Sequence, residues 1–399
     1  MFREIYRPKA AALIFYLFLL LSSLLLVSCD SGPFSNASWQ VSGLQGQQLR
    51  VVEVSGQDST TLYTANEQGH VFVSTDAGQR WSEQSSGLPL PNAIHALSFA
   101  TSSQKLYAAT EKGLFIKAES ATAWQKITAA SLPSTSFTAL TFLPDAANMI
   151  YVGTASQGIY VSHDGGTSWL AANSGLPQGI AVNDLSADPV QKQIWAATSV
   201  GAYRSANSGA SWQSFNNGLP SHQSVNTIVS AATGGGAQGM LYMGTDHGIL
   251  LSYDFGAHWK VNSEALSGVI IHRILVDFRS SNGGTVYIAT SLGVFRSTDS
   301  GQNWGSVATG LPKNAAVYAL VIGAANNAQV YAAGNGFYEF PGTGSSIDPL
   351  RIFTYLLVVV FFFLLYRLVM RGRGAARRML KPVPGQGTPT APDDASHSA

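Results

Sequence analysis

The chain has a single cysteine, Cys29, among 399 residues, so no internal disulfide can brace it. Charge is scarce as well. Only 11% of residues are Asp, Glu, Lys or Arg, against about 25% in a typical soluble domain. The 23 basic and 22 acidic residues leave a net charge of +1, so there is no basic field to attract nucleic acid. There is no H-E-x-x-H spacing, no glycine-rich phosphate loop and no Ser-His-Asp motif. No metal and no cofactor are therefore expected. Long apolar runs are missing from residues 30–349 and occur only at the two ends.

What is present is a repeat. Ser162-His163-Asp164-Gly165-Gly166-Thr167-Ser168-Trp169 returns around Asp76, Gly78 and Trp81, around Asp254, Gly256 and Trp259, and around Asp299, Gly301 and Trp304. A near copy carries Asn207 in the acid position, with Gly209 and Trp212. A worn copy, Lys117 to Trp124, has Glu119 for the acid and Ala121 for the glycine. Tryptophans fall at 39, 81, 124, 169, 212, 259 and 304. A period of this size marks a repeat architecture and overrides the two or three domains that length alone suggests. Between the boxes lie short β-rich runs bounded by Gly and Asp turns, such as Ile94–Phe99, Leu106–Thr110 and Gly113–Ile116. Several such runs per repeat read as the strands of one blade. An aromatic-centred second strand recurs at Tyr63, Tyr107, Tyr151, Trp195, Tyr242, Tyr287 and Tyr331, which gives seven blades. The seventh lacks a box. Trp39 to Leu44 looks like every other fourth strand and supplies the missing one, closing the ring.

The pattern S-x-D-x-G-x-x-W resembles the Asp box, or BNR repeat. Over about residues 39–340 the chain is similar to the Asp-box β-propellers: bacterial sialidases, sortilins, xyloglucanases and the photosystem II assembly factors. The expected fold is all-β, a seven-bladed β-propeller whose N-terminal strand closes the last blade, with one C-terminal transmembrane helix. Within a box the acid accepts backbone N–H bonds of a tight turn, the glycine takes a positive φ, and the tryptophan covers a seam between blades. The boxes are expected to be structural. That list of relatives mixes enzymes with binding proteins, and fold does not imply function.

The ends divide the chain further. Arg3, Arg7 and Lys9 precede an apolar run from Ala10 to Ser28, as in a secretory signal. Leu26-Val27-Ser28-Cys29 resembles the bacterial lipobox, which implies lipidation of Cys29. The run is also long enough for an uncleaved signal anchor. Leu350 to Met370 would span roughly 31 Å as a helix, the thickness of a bilayer core. Arg371, Arg373, Arg377, Arg378 and Lys381 follow it, so the positive-inside rule puts the C-terminus in the cytoplasm and the propeller outside a bacterial cell membrane. The expected segments are 1–29 signal and lipobox, 30–38 linker, 39–340 propeller, 341–349 linker, 350–370 transmembrane helix and 371–399 disordered tail.

Aligning the inner strands puts a polar or aromatic residue early in each: Arg50, His95, Thr138, Asn183, Asn226, His272 and Tyr318, with Asp184 and Arg273 one place later. These residues form the candidate ligand rim on the face opposite the boxes. No catalytic residue is assigned. A sialidase needs an arginine triad, and residues 39–340 hold only Arg50, Arg80, Arg204, Arg273, Arg279 and Arg296, of which Arg80, Arg204 and Arg296 belong to boxes or directly precede them. Other glycosidases need two carboxylates at a set separation, whereas Glu53, Glu67, Glu111, Asp184 and Asp246 are scattered among blades. The expectation is a non-enzymatic, monomeric binding or assembly propeller for an extracytoplasmic protein or glycan. A glycan-active hydrolase is the alternative.

Overall fold

The structure, a computed structural model, describes residues 37–341 apart from 57–59, 144–145, 189, 221–222, 232–238, 278–283 and 324–328. The expectations for Cys29, for 350–370 and for 371–399 lie outside the described residues, as does Arg279. Among the described residues no helix is long and apolar enough to cross a membrane.

The described chain is all-β. Ile94–Ala100, Lys105–Thr110, Gly113–Ala118 and Gln125–Lys126 form one antiparallel four-stranded meander. Meanders of the same order follow from Phe137–Leu143, Val182–Asp188, Val225–Ser230 and Ile271–Asp277. A six-stranded sheet holds the remainder, in the order Ala319–Ile322, Val330–Phe340, Gln40–Val54, Leu62–Asn66, Val71–Ser74, Ser82–Glu83. Each inner strand packs against the next, and Ala319–Ile322 packs against Gln40–Val54, so the circuit closes. This is a β-propeller.

Burial explains why these runs are strands. Leu62–Asn66 and Leu241–Thr245 are buried at every position, because both faces of a second strand are covered by neighbouring sheets. A continuous apolar run flanked by turns is the sequence form of such a strand. The core is divided among the seams. One apolar cluster joins Tyr63 and Val73 to Leu97, Phe115 and Trp124, and another joins Tyr151 and Val161 to Leu185, Tyr203 and Trp212.

Ring closure takes a form the sequence does not spell out. The N-terminal fourth strand and the first inner strand are one run, Gln40–Val54. Its first part pairs with the C-terminal strand, Gln40 opposite Glu339 and Val41 opposite Tyr338, and its last part pairs with Leu62–Asn66. Irregular register at Gly43 and beyond lets one strand join two meanders into the six-stranded sheet. Val330–Phe340 is likewise continuous where two strands are expected: Val330–Ala333 pairs with Ala319–Ile322, and Asn335–Glu339 pairs with Gln40–Val54, with Gly336 at φ +135° inside that second pairing.

Candidate functional site

Five of the rim residues occupy the same backbone feature. In the strand pairs headed by Leu49, Ile94, Val182, Val225 and Ile271, register shifts by one between the first and third residues of the inner strand. Arg50, His95, Asn183, Asn226 and His272 are the extra residues. A bulge re-aims its side chain out of the ladder, and here it does so at one end of every strand concerned.

Several rim side chains are satisfied by the next sheet. Thr138 Oγ1 donates to the Val182 carbonyl. Asn183 Nδ2 donates to the Val225 carbonyl at 2.7 Å, and Asn226 Nδ2 to the Ile271 carbonyl at 3.1 Å. These bonds tie three successive inner strands to their neighbours at the mouth. Asn226 Nδ2 also reaches Asp246 Oδ1 at 2.7 Å.

The rest of the mouth is a chain of charged and aromatic groups. Glu67 Oε2 holds Arg50 Nη2 at 2.8 Å. The Arg50 guanidinium lies 3.8 Å over the Tyr318 ring, a cation–π contact. His272 stands 4.8 Å from the same ring. Burial and then the Arg50 charge hold the His272 imidazole below its ordinary value, against a contrary pull from Asp246. His95 stands apart from this chain. Its side chain is open to solvent, yet loss of hydration at the mouth depresses its imidazole, with Glu111 opposing.

Beneath the rim lies a second layer. Arg273 Nη1 and Asp184 Oδ1 are 2.8 Å apart, and Thr227 Oγ1 donates to Asp184 Oδ2 at 2.8 Å. Asp184 is buried while Arg273 keeps 48% of its side-chain surface exposed. Asp184 and burial act oppositely on Arg273; Asp184 prevails and holds the guanidinium firmly cationic. Glu53 belongs to this layer. Its Oε1 accepts the Phe99 N–H at 3.0 Å. Burial pushes its carboxyl up to about 7, against the Phe99 bond and the Arg273 charge. The non-box carboxylates are thus less scattered than the sequence implies: Glu53 and Asp184 both interact with Arg273, while Glu67 and Asp246 join the rim. Glu53 stands five residues into its inner strand, aligned with Ser98, Thr141 and Ser186. Comparing that column with its neighbours is the signal that finds it.

The boxes use their polar groups on themselves. Ser162 Oγ donates to Asp164 Oδ1 at 2.8 Å and accepts the Gly166 N–H at 2.8 Å, and Asp164 Oδ1 accepts the Ser168 N–H at 2.8 Å. The same bonds recur at Ser74–Asp76–Gly78–Arg80, Ser252–Asp254–Gly256–His258 and Ser297–Asp299–Gly301–Asn303. Asn207 reproduces them with its amide oxygen. The Ser168 hydroxyl and N–H bonds hold the Asp164 carboxyl down to about 2. Gly256 shows why the glycine is small: at φ +84°, a Cβ would fall 2.6 Å from the Trp195 ring of the preceding sheet. Trp212 Nε1 donates to Ala172 O and Trp259 Nε1 to Phe215 O, both at 2.8 Å across a seam. The worn copy differs, since Glu119 Oε1 accepts from Ser55 and Tyr63 of the adjacent sheet. Among the described residues no cluster of His, Cys, Asp or Glu could hold a metal ion.

Comparisons with known proteins place the fold. No family model matches the chain. A xyloglucanase of Hypocrea jecorina (strain QM6a) is 34% identical over 97 residues, which is 24% of this chain and 11% of that protein. The chain therefore spans only a small part of the curated relative it matches. The structure of YCF48 bound to D1 peptide is similar at TM-score 0.60 and 17% identity, covering 79% of this chain and 97% of that one. The GH74 xyloglucanase from Xanthomonas campestris is similar at TM-score 0.58 and 14% identity, covering 76% of this chain and 53% of that one. At these identities the likeness is one of fold.

Proposed function

We propose that this chain is a seven-bladed, Asp-box-type propeller that acts as a non-enzymatic binding or assembly scaffold for an extracytoplasmic protein or glycan. In this reading it is a monomer tethered outside a bacterial cell membrane by residues 350–370, with Cys29 as a lipid attachment point. The boxes serve as hairpin staples, and Arg50, His95, Asn183, Asp184, Asn226, His272, Arg273 and Tyr318 form the recognition end. One observation carries the proposal: the charged groups of the mouth are matched to one another on a bulged rim that is itself tied from sheet to sheet. Such a surface is pre-ordered for docking, which lowers the entropy lost on association. The D1 peptide bound by YCF48, a propeller of the same fold, agrees with it.

A glycan hydrolase is the second reading. It is favoured by Glu53, poised near 7, and Asp184, both acting with Arg273, and by the likeness to xyloglucanases. A general acid works best with a pKa near the working pH. The two readings part in one experiment on the full chain. A photo-crosslinking residue is placed at Asn226, at Tyr318 or at Thr167 in a box, and the same preparation is incubated with xyloglucan. The scaffold reading expects one discrete adduct from both rim positions, none from Thr167, and no release of reducing ends. Release of sugar that Glu53→Gln and Asp184→Asn both abolish would replace it with the hydrolase.

A further inference from the structure

One stretch of the ring departs from the repeat in three ways at once. Leu88, Leu176, Leu219, Leu266 and Leu311 each lie seven residues after a box tryptophan, but Leu132 lies eight after Trp124. In four of those five loops a glycine before the leucine sits on the next sheet's tryptophan, the exception being Ala265 before Leu266. A Cβ on Gly87, Gly175 or Gly218 would fall 2.2–2.3 Å from a Trp124, Trp212 or Trp259 carbonyl oxygen. Those tryptophans donate their N–H to Ser86, Ser174 and Asn217. Ser131 stands where that glycine would be, and its Cβ forbids so close an approach. Trp169 instead donates its indole N–H to Gly166 of its own box. Finally, in three of the other loops the fourth residue after the tryptophan, Ser85, Asn173 or Asn216, clamps the loop to the start of the third strand. Asn173 Oδ1 takes the Ile159 N–H, and Asn216 Oδ1 the Ala202 N–H, both at 2.7 Å. Thr128 makes no such bond among the described residues.

The longer, unclamped loop 127–136 leaves a cleft of about 500 Å³ against the turn Glu111–Leu114. Buried Leu114 and Phe137 form its apolar floor. Thr128, Ser134, Thr135 and Ser136 line it with hydroxyls that have no protein partner among the described residues. Lys112 and Lys126 stand at its edge with Glu111. The Lys126 stem crosses the turn so closely that a Cβ on Gly113 would fall 2.7 Å from its Cε. Two ammonium groups and one carboxylate sum to a single positive charge. A neutral ligand leaves that charge unmatched, and a multiply charged anion meets Glu111. Free hydroxyls over an apolar floor suit a ligand that carries hydroxyl groups on one face and C–H groups on the other.

We infer that this cleft binds a hydroxylated monoanion, namely a uronic-acid unit at the end of an acidic saccharide. The cleft shares no lining residue with the rim, although its Glu111 acts on His95, and its test does not depend on the scaffold reading. The test is saturation-transfer NMR and calorimetry on the full chain in mild detergent, with a glucuronic-acid disaccharide and the matched glucose disaccharide as probes. The acidic probe should bind about tenfold more tightly than the neutral one at low salt, and the gap should close as salt rises. Lys112→Ala combined with Lys126→Ala should remove the gap. Deleting Ala130 together with Ser131→Gly restores the regular spacing and should abolish binding without lowering the melting temperature. Equal binding of the two probes, no binding of either, or full binding by the regularised loop overturns the inference. If the regularised loop does not fold, the exposed-lysine variants decide alone.

Discussion

At the residue scale, the box serine matters as much as the acid that gives the motif its name. Ser162 is fully buried, and its Oγ accepts the N–H of buried Gly166. Ser162→Ala leaves that N–H without a partner and without water. An unsatisfied buried donor costs about 1–3 kcal/mol, and chemical denaturation of wild type and variant measures it directly. Ser162→Thr keeps the hydroxyl and should recover part of the loss, provided its methyl group is accommodated. A Ser162→Ala variant as stable as wild type would mean that the staple contributes nothing. Serine, acid and glycine were legible in the sequence because a local turn needs local chemistry. The contact that makes the glycine small was not: Gly256 and Trp195 are 61 positions apart and meet only because one sheet packs on the next.

At the element scale, the strands were legible and their continuity was not. Short apolar runs and turn residues are short-range signals, and they locate Ile94–Ala100 and Lys105–Thr110 to within a residue. Nothing local states that Gln40–Val54 crosses from one meander into another, since that depends on a partner strand about 290 residues away. The bulges belong to the same class: register is a property of a pair of strands. Closure also predicts a stability effect. Trp39 packs at a tilt against Phe340, ring centres 5.1 Å apart, and donates its indole N–H to the Val307 carbonyl, and Gln40–Gly43 covers the edge of Val330–Phe340. Removing residues 37–43 bares that edge and the apolar cluster around Tyr338 and Phe340. The truncated chain should melt well below wild type and associate at concentrations where wild type is monomeric, as read by calorimetry and light scattering. A monomeric truncation with an unchanged melting temperature would place the closure elsewhere.

At the scale of the whole molecule, the layer beneath the rim makes stability depend on pH in a direction opposite to that of the boxes. The box carboxyls of Asp164 and Asp254 are held down to about 2 by their own turns. Their contribution is present above the ordinary carboxylate range and is lost as pH falls through that range toward 2. Glu53 behaves in the reverse sense. Burial raises its carboxyl to about 7, so between about 4.5 and 7 the folded protein keeps a proton that the unfolded chain releases. Stability therefore falls across that window and levels off above it, by up to about 3 kcal/mol for a shift of this size. The depressed imidazoles of His95 and His272 tilt the curve the other way below about 6.5, so the raw profile mixes the two effects. A difference curve separates them. Melting temperatures of wild type and Glu53→Gln, taken side by side from pH 5 to pH 8, share every histidine and every box. The amide keeps an acceptor for the Phe99 N–H and carries no charge, so the variant should match wild type near pH 5 and exceed it increasingly toward pH 8. A gap that does not change with pH would mean that Glu53 titrates in the folded ring as it does in the unfolded chain, and that burial beside Arg273 leaves its carboxyl unshifted.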